Sequence, residues 1–314
     1  MYTFSSKLKS VAIGLMIIGA IGVVIGFVTS NKDFTQVETM LARESHHGEV
    51  ADHHDANAED SHTTETSHAT ETHAETPDHA ISDDHGGAHA EVDEHTKHVN
   101  HVMHAMHKRP WAALYVAAFF FFMIALGVLA FYALQYAAQA GWSPLLLRVM
   151  EGITAYMLPG ALIVLLIAAL SHFIGHNSIF VWMDPEVVAH DKLIAGKTGW
   201  LNIWGFIIRG LIFIGGWFLY RHFSRKYSIA QDKADDNKNF VKTFRISAAF
   251  LVFFLYTESM MSWDWIMSVD PHWFSTLFGW YVLAGMMVCG ITVISMVTIY
   301  LKSKGYLPKV NDSH

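Results

Sequence analysis

The segment from Leu251 to Tyr281 reads LVFFLYTESMMSWDWIMSVDPHWFSTLFGWY and carries two acidic residues in an otherwise apolar run. Glu258 and Asp264 lie in a part long enough to cross a membrane as a helix, and Pro271 then forces the chain to turn. An Asp at the centre of a spanning helix costs about 2.5–3.5 kcal/mol on insertion scales. Because the assembled protein must stabilise them, Glu258 and Asp264 are functional candidates.

The hydrophobic residues of the chain come in blocks rather than at the period of an amphipathic helix or strand. A helix rises about 1.5 Å per residue, so some 20 apolar residues cross a hydrocarbon core of about 30 Å. The sequence therefore predicts an all-α polytopic membrane protein with six transmembrane helices. These spans are residues 11–28, 111–138, 144–171, 200–220, 246–267 and 274–301.

The formal charge of −7 conceals an acidic insert in a basic protein. Residues 44–107 contain 15 Asp and Glu, one Lys and 15 of the 21 His, and the rest of the chain is positively charged. With so few apolar residues, we predict that the His- and acid-rich segment 31–108 is disordered, except for a helix over 93–109 that leads into the second span. It is either a solvated spacer or a weak metal-binding or proton-buffering tract.

Lys7 and Lys9 precede the first span, whose length favours an uncleaved anchor over a signal peptide. If the N-terminus is cytoplasmic, most Lys and Arg lie inside, as the positive-inside rule requires. The sequence then predicts a multi-pass membrane protein with a cytoplasmic N-terminus, and the family resemblance given below implies the bacterial inner membrane. The His-rich insert, the loop 172–199 and the turn from Asp270 to His272 would face the periplasm.

The sequence indicates no redox centre in this chain. Intramembrane haems commonly take axial His ligands from the spans, and no His lies near the middle of any predicted span. His172 and His176 form only a two-residue pair at a span end, for which we predict no metal site. Cys289 is the only cysteine and is expected to be a buried, inert thiol.

Two roles remain open for the acidic residues of the spans. Burial favours the neutral form of a carboxyl group, so Glu258 and Asp264 could relay protons through waters or neighbouring hydroxyls. Alternatively, Asp264 pairs with Arg209 in an interhelical clamp. Glu151 is expected to pair with Arg148, one helical turn away. The full set of proton-relay candidates is Glu258, Asp264, Asp270, His272, Glu151, Arg209 and Tyr156.

Four parts of the sequence carry a family resemblance. They are TESMMSWDWIMSVDPHWFSTLFGWYVLAG (257–285), the opening MYTFSSKLKS, the His-rich insert and SPLLLRVMEGITAYMLPG (143–160). The chain resembles, over essentially its whole length, the ActF-type membrane subunits of bacterial alternative complex III. This complex is a quinol:cytochrome c oxidoreductase, and these subunits belong with the NrfD/PsrC-like proteins built on four-helix bundles.

The resemblance implies an anchor at 1–30, the insert at 31–108, a four-helix bundle at 109–267 and the start of a second bundle at 268–314. Because such proteins are usually longer, we expect a C-terminally truncated sequence. The resemblance further implies a subunit that takes part in proton translocation, helps to form the quinone side of the complex and contributes to its assembly. Menaquinol is the possible substrate, and no cofactor is expected on this chain. The expected partners are lipids, an NrfD-like sister subunit, an iron–sulfur subunit and haem c subunits, with no nucleic acid.

One departure from the family pattern bears on mechanism. The sister subunits are expected to present a His and an Asp to quinol, and here Asp264 matches the Asp while Glu258 stands at the His position. This favours proton movement or scaffolding over direct quinol oxidation. Two other functions stay open at this point: a divalent-metal transporter with a His-rich periplasmic loop, and a purely structural anchor.

Overall fold

The computed structural model describes residues 6–52, 87–173 and 179–311. Throughout these residues the chain is helical and contains no strand. Short 3₁₀ turns occur at Ser143–Leu145, Thr154–Tyr156, Val181–Met183 and Met267–Val269. The helices are α1 (Ser6–Ser30), α2 (Phe34–Asp52), α3 (Gly87–Ala137), α4 (Leu147–Ile153), α5 (Met157–Phe173), α6 (Pro185–His190), α7 (Lys192–Ala195), α8 (Ile203–Gln231), α9 (Lys238–Trp265) and α10 (Phe278–Ser303).

Six segments of the described chain are long and apolar enough to cross a membrane. Their number and order confirm the prediction of an all-α, multi-pass architecture. The fourth span begins later and extends further than predicted, because the chain from Lys197 to Asn202 forms turns before α8 starts. The six segments are Ser6–Ser30, His95–Ala137, Leu147–Phe173, Ile203–Gln231, Lys238–Val269 and Phe278–Ser303.

The chain divides into two compact units, residues 1–110 and 111–314. In the first unit, α1 is apolar and has no buried residue. The segment expected to be disordered is helical at both ends, over α2 and from Gly87 onward, which includes the predicted helix over 93–109. Good helix formers such as Glu38, Met40 and Leu41 favour α2. Residues 53–86, the centre of the His-rich insert, lie outside the described residues.

The second unit is a helical bundle around an aromatic core. Trp265 near the end of α9 is fully buried, and its ring centroid lies 5.9 Å from that of Phe122 on α3 and 6.3 Å from that of Trp217 on α8. Phe119 and Phe206 complete the contacts around it. Offset and edge-on rings at these distances pack favourably, so the core holds α3, α8 and α9 together.

The last helix belongs to this same compact unit. A Cβ built on Gly127 of α3 would collide with the carbonyl group of Met286, and one on Gly290 would lie 3.1 Å from the backbone nitrogen of Val128. Two glycines thus let α10 approach the backbone of α3, as small residues do between membrane helices. The prediction that a second bundle starts at residue 268 stays a prediction, and in this structure α10 packs against α3.

The third span is interrupted where a proline was expected to kink it. α4 and α5 are separated by the 3₁₀ turn Thr154–Tyr156, and Pro159 follows in the first turn of α5. Proline has no N–H to bond the carbonyl four residues earlier, and its ring crowds that carbonyl, so the regular helix is broken just before it. This break sets the direction of α4, which carries Glu151.

Candidate functional site

Asp264 lies at the end of α9 in a fully partnered environment. Its carboxylate accepts hydrogen bonds from Arg209 Nε at 2.6 Å and Trp200 Nε1 at 2.7 Å, and its side chain is 1% exposed. The Arg209 guanidinium in turn lies 4.2 Å from the centre of the Trp200 ring, a cation–π distance. The pairing of Asp264 with Arg209, one of the two alternatives drawn from the sequence, is therefore present. We call these three residues the Asp264 cluster.

The start of α8 places Arg209 in this cluster. Asn202 caps the helix by accepting a hydrogen bond from Gly205 N at 2.7 Å, which fixes where α8 begins. A Cβ on Gly205 would lie 2.9 Å from Arg209 Nη1, so glycine leaves room for the guanidinium. Arg209 then follows one helical turn later, facing α9.

Glu258 lies in the same helix but has almost no polar partner. It is 1% exposed, and its nearest hydrogen-bonding group is the Ser259 hydroxyl, 3.5 Å from Oε2. In the described part of the chain, Oε1 has no hydrogen-bond partner. Glu258 precedes Trp265 by seven residues, two helical turns, and therefore shares its inward face. It is a carboxyl group held in an apolar interior.

The hydroxyls expected to link Glu258 to Asp264 instead bond to their own helix. Ser262 Oγ donates to Ser259 O at 2.7 Å, and Thr257 Oγ1 donates to Phe253 O at 3.0 Å. Ser268 Oγ donates to the backbone oxygen of Asp264 rather than to its carboxylate. The two carboxyl groups are thus not joined by side chains, and a proton passing between them would need water.

A second polar group, the Glu151 cluster, lies at the opposite end of the bundle. Glu151 is 7% exposed and binds Arg148 Nη1 at 2.7 Å, as predicted, and the Tyr132 hydroxyl at 3.0 Å. Arg148 also contacts Asp232 and donates to Ser228 O at 3.2 Å. These bonds tie α4 to α3 and to the C-terminal end of α8.

Two polar pairs occupy the α8–α9 interface between the clusters. The hydroxyls of Tyr220 and Ser247 are 2.8 Å apart, and Trp217 Nε1 donates to Thr257 Oγ1 at 3.0 Å. Both pairs are buried. Because Glu258 follows Thr257 directly, buried polar groups recur along α9 from Ser247 to Asp264.

The remaining relay candidates fall in two other places. Tyr156 is 39% exposed and its ring lies against Gly160, with no hydrogen bond from its hydroxyl to another candidate among the described residues. Asp270 and His272 lie in the exposed turn after α9, where His272 N donates to Asp270 Oδ1 at 3.2 Å. His272 Nε2 is 2.6 Å from Asp191 Oδ2 in the preceding loop.

A cavity of about 450 Å³ opens beside the Asp264 cluster. One wall is the loop before α8, and the other is the end of α9 with the following turn. Asp264 and Trp200 both line it, so the carboxylate borders a space that a few waters could fill. Its lining residues include Lys197, Trp200, Trp263, Asp264, Pro271 and Trp273.

Three contributors to this site were missed in the sequence. Trp200 was predicted only as the first residue of the fourth span, and Lys197 and Asp191 only as residues of the loop 172–199. Asp191-Lys192 does carry a recognisable signal, because an Asp before a short helical stretch is a common N-cap. Nothing in the sequence indicates that the indole of Trp200 donates to a carboxylate 64 residues away.

No group of three or more His, Cys, Asp or Glu side chains that could hold a metal occurs among the described residues. His172 is described and contacts only the neighbouring ring of Phe173 among the aromatic groups. His176 and the centre of the His-rich insert lie outside the described residues. Two expectations from the sequence therefore stay predictions: that His172 and His176 hold no metal, and that the His-rich insert is either a spacer or a weak metal-binding or proton-buffering tract.

No protein-family model matches this chain, and no curated protein matches it at a significant level. The chemistry of the site is therefore inferred from the buried carboxylates of the chain and their surroundings.

Proposed function

We propose that the chain is a membrane subunit of a bacterial respiratory quinol:cytochrome c oxidoreductase of the alternative complex III type. It holds no redox centre of its own and provides a proton path, while its neighbours oxidise menaquinol and carry iron–sulfur clusters and haem c. The sequence resemblance supports the complex, and the buried carboxylates support the role within it. Ionisable residues inside membrane spans commonly mark proton pathways.

The environment of Glu258 is the observation that carries this proposal. A carboxyl group that serves only to hold helices together is expected to be hydrogen-bonded, since an unsatisfied buried acceptor costs about 1–3 kcal/mol. Glu258 is buried with one oxygen lacking a partner in the described residues. A group that alternately accepts and releases a proton fits such a position, because the apolar surroundings favour its neutral form.

The proposed path runs from the Glu151 cluster to the cavity at the Asp264 cluster. The hydroxyls of Tyr220 and Ser247 and that of Thr257, which is oriented by the Trp217 N–H, lie along the α8–α9 interface between them, and water connects these hydroxyls. Glu258 takes up the proton in the interior, and water carries it onward to Asp264. Asp264, which is held by Arg209 and Trp200, borders the cavity, so its negative charge attracts the proton towards the water that passes it out.

The proposed orientation places the N-terminus and the Glu151 cluster on the cytoplasmic side of the inner membrane. Protons then leave on the periplasmic side through the cavity bordered by Lys197 and Pro271. The positively charged segments after α8 and α10 lie inside, as the positive-inside rule requires. The sister, iron–sulfur and haem c subunits are the proposed partners.

Replacing Glu258 by Gln in the assembled complex tests the proton path. We expect electron transfer from quinol to cytochrome c to continue, with fewer protons released per quinol, because Gln retains the shape but cannot carry the proton. Proton release by reconstituted complex during a limited quinol pulse measures this ratio. E186Q is the matched control, since Glu186 is exposed in the outer loop.

An unchanged proton ratio in E258Q would contradict the proposal. If turnover and proton ratio both survive neutralising Glu258 and Asp264 together, the chain is a structural anchor instead. The metal-transporter alternative has no supporting observation among the described residues, so we do not develop it.

A further inference from the structure

Two short contacts join the two segments that form the walls of the cavity beside Asp264. Lys197 Nζ donates to Pro271 O at 2.6 Å, and His272 Nε2 is 2.6 Å from Asp191 Oδ2. Each contact joins the loop before α8 to the turn after α9. Lys197 and Pro271 themselves line the cavity. Trp200 and Asp264 line it as well, and the Trp200 indole donates a hydrogen bond to Asp264. These two contacts therefore hold the loop before α8 and the turn after α9 together.

We infer that the His272–Asp191 contact is a pH-sensitive clasp that holds together the two walls of the cavity beside Asp264. The inference rests on the proposed function only for its physiological meaning, since the clasp itself is a local structural device. When the imidazole is protonated, it forms an ion pair with Asp191. When the imidazole is neutral, its N–H still donates a hydrogen bond to the Asp191 carboxylate, but the attraction between opposite charges is lost. The two walls of the cavity then separate more readily.

The charges around His272 favour this behaviour. Asp191 Oδ2 lies 2.6 Å from Nε2, and Asp270 Oδ1 lies 3.8 Å from Nδ1 on the other side of the ring. The Lys197 ammonium is held on the carbonyl of Pro271, one residue before His272. Two carboxylates therefore face the imidazole, one from each wall of the cavity, with one cation bound to the adjacent peptide.

Asp191 stays ionised through the range in which an imidazole titrates. Its Oδ1 accepts hydrogen bonds from the backbone N–H groups of Ile194 and Leu193 at the start of α7. These bonds, with the contact to His272, hold the pKa of Asp191 below its usual value. Imidazoles commonly change charge between about pH 5 and 8. Because Asp191 stays ionised there, the contact is an ion pair whenever the imidazole is protonated, so the clasp is tightest at the acidic end.

The loop that carries Asp191 is suited to local opening. α6 and α7 contain six and four residues, and the main internal anchor of the loop here is Ile194, which is 1% exposed. Such short, exposed elements open with far less free energy than the core of a domain. In the proposed orientation, acidification of the periplasm would therefore hold the two walls together at the proposed exit for protons, giving feedback on their release.

Hydrogen exchange of the full-length chain in lipid nanodiscs, between about pH 5.5 and 8, tests the clasp. After correction for intrinsic exchange rates, we expect the α7 amides to become about two- to fivefold less protected at the alkaline end, the range of an exposed ion pair. H272Q should remove this pH dependence. H190Q is the matched control, because His190 is in the same loop but bonds to Glu186 O within its own helix.

Wild-type protection that does not vary with pH would overturn the clasp, as would H272Q retaining the wild-type dependence. K197M removes the other of the two contacts and should lower protection equally at every pH. Measuring proton release by E258Q complex separates this inference from the proposed function. A pH-dependent clasp with an unchanged proton ratio in E258Q leaves the clasp standing and rejects the proton path.

Discussion

The middle and the end of α9 carry the same kind of acidic side chain in opposite surroundings. Asp264 binds a guanidinium and an indole N–H, whereas Glu258 has one weak contact to Ser259. Both are at most 1% exposed. Burial alone therefore does not decide what a membrane carboxylate does, and the number and charge of its partners determine whether it stays ionised or can exchange a proton.

The partners differ because of where α8 begins. Arg209 in the second turn of α8 and Trp200 in the preceding loop reach the end of α9, whereas the buried residues further along α8 carry no charge. Six residues along one helix thus separate a structural ion pair from an isolated acid. Three substitutions test this comparison.

R209L is expected to have the largest effect on stability. It leaves the buried Asp264 carboxylate with Trp200 as its only remaining side-chain donor, and removing one partner of a buried pair typically costs about 3–5 kcal/mol. Denaturant titration of the purified chain in mixed micelles measures the change in free energy of unfolding.

The double variant R209L/D264L is the control for that prediction. Replacing both charges by apolar side chains should recover most of the loss, since a buried pair and a well-packed apolar pair are often similar in stability. A double variant as unstable as R209L would show that the clamp contributes packing rather than charge compensation.

W200F should have an intermediate effect. It removes the indole N–H that donates to Asp264 while keeping an aromatic face near Arg209. A hydrogen bond to a charged group is worth about 1.5–3 kcal/mol. The same unfolding titration measures it, and W204F, which changes a 69% exposed indole on the first turn of α8, should be close to neutral. Equal losses in the two variants would argue against a specific role for Trp200.

E258M should have the smallest effect and the opposite sign. Methionine has a similar length and no group that needs a hydrogen-bond partner, so the free energy of unfolding should stay equal or rise by about 1 kcal/mol. D264M, the same change six residues later, should instead lower the free energy of unfolding, because it leaves the Arg209 guanidinium without its carboxylate partner. A large loss in E258M would mean that Glu258 has a strong partner and is structural.

The sequence predicts the spans well because apolar length is a local property. It also narrows the role of Asp264 to two alternatives, since a charge in a span must be compensated and Arg209 is the cation within a neighbouring span. The sequence does not predict the helix α2, which lies in the segment expected to be disordered. A low apolar content argues against a packed core but does not prevent a local helix. Nor does the sequence reveal the contacts of Trp200 or His272, which depend on how two loops meet.

The isolation of Glu258 is likewise invisible in the sequence. Hydroxyls stand close to it along the chain at Thr257, Ser259 and Ser262, which is why they were expected to link it to Asp264. Within a helix, however, a Ser or Thr hydroxyl readily bonds the carbonyl three or four residues back, and here they do so.

The aromatic core also has an electrical consequence. Trp265 and its neighbouring rings fill the bundle next to the Asp264 cluster and offer water few hydrogen-bond partners. A charge crossing a membrane gains about 2.3 kcal/mol for every 100 mV, so an open aqueous thread would discharge the gradient. The packed indoles and phenyl rings leave little room for a continuous column of water, so any proton that passes through the bundle must do so on a few isolated waters and side chains.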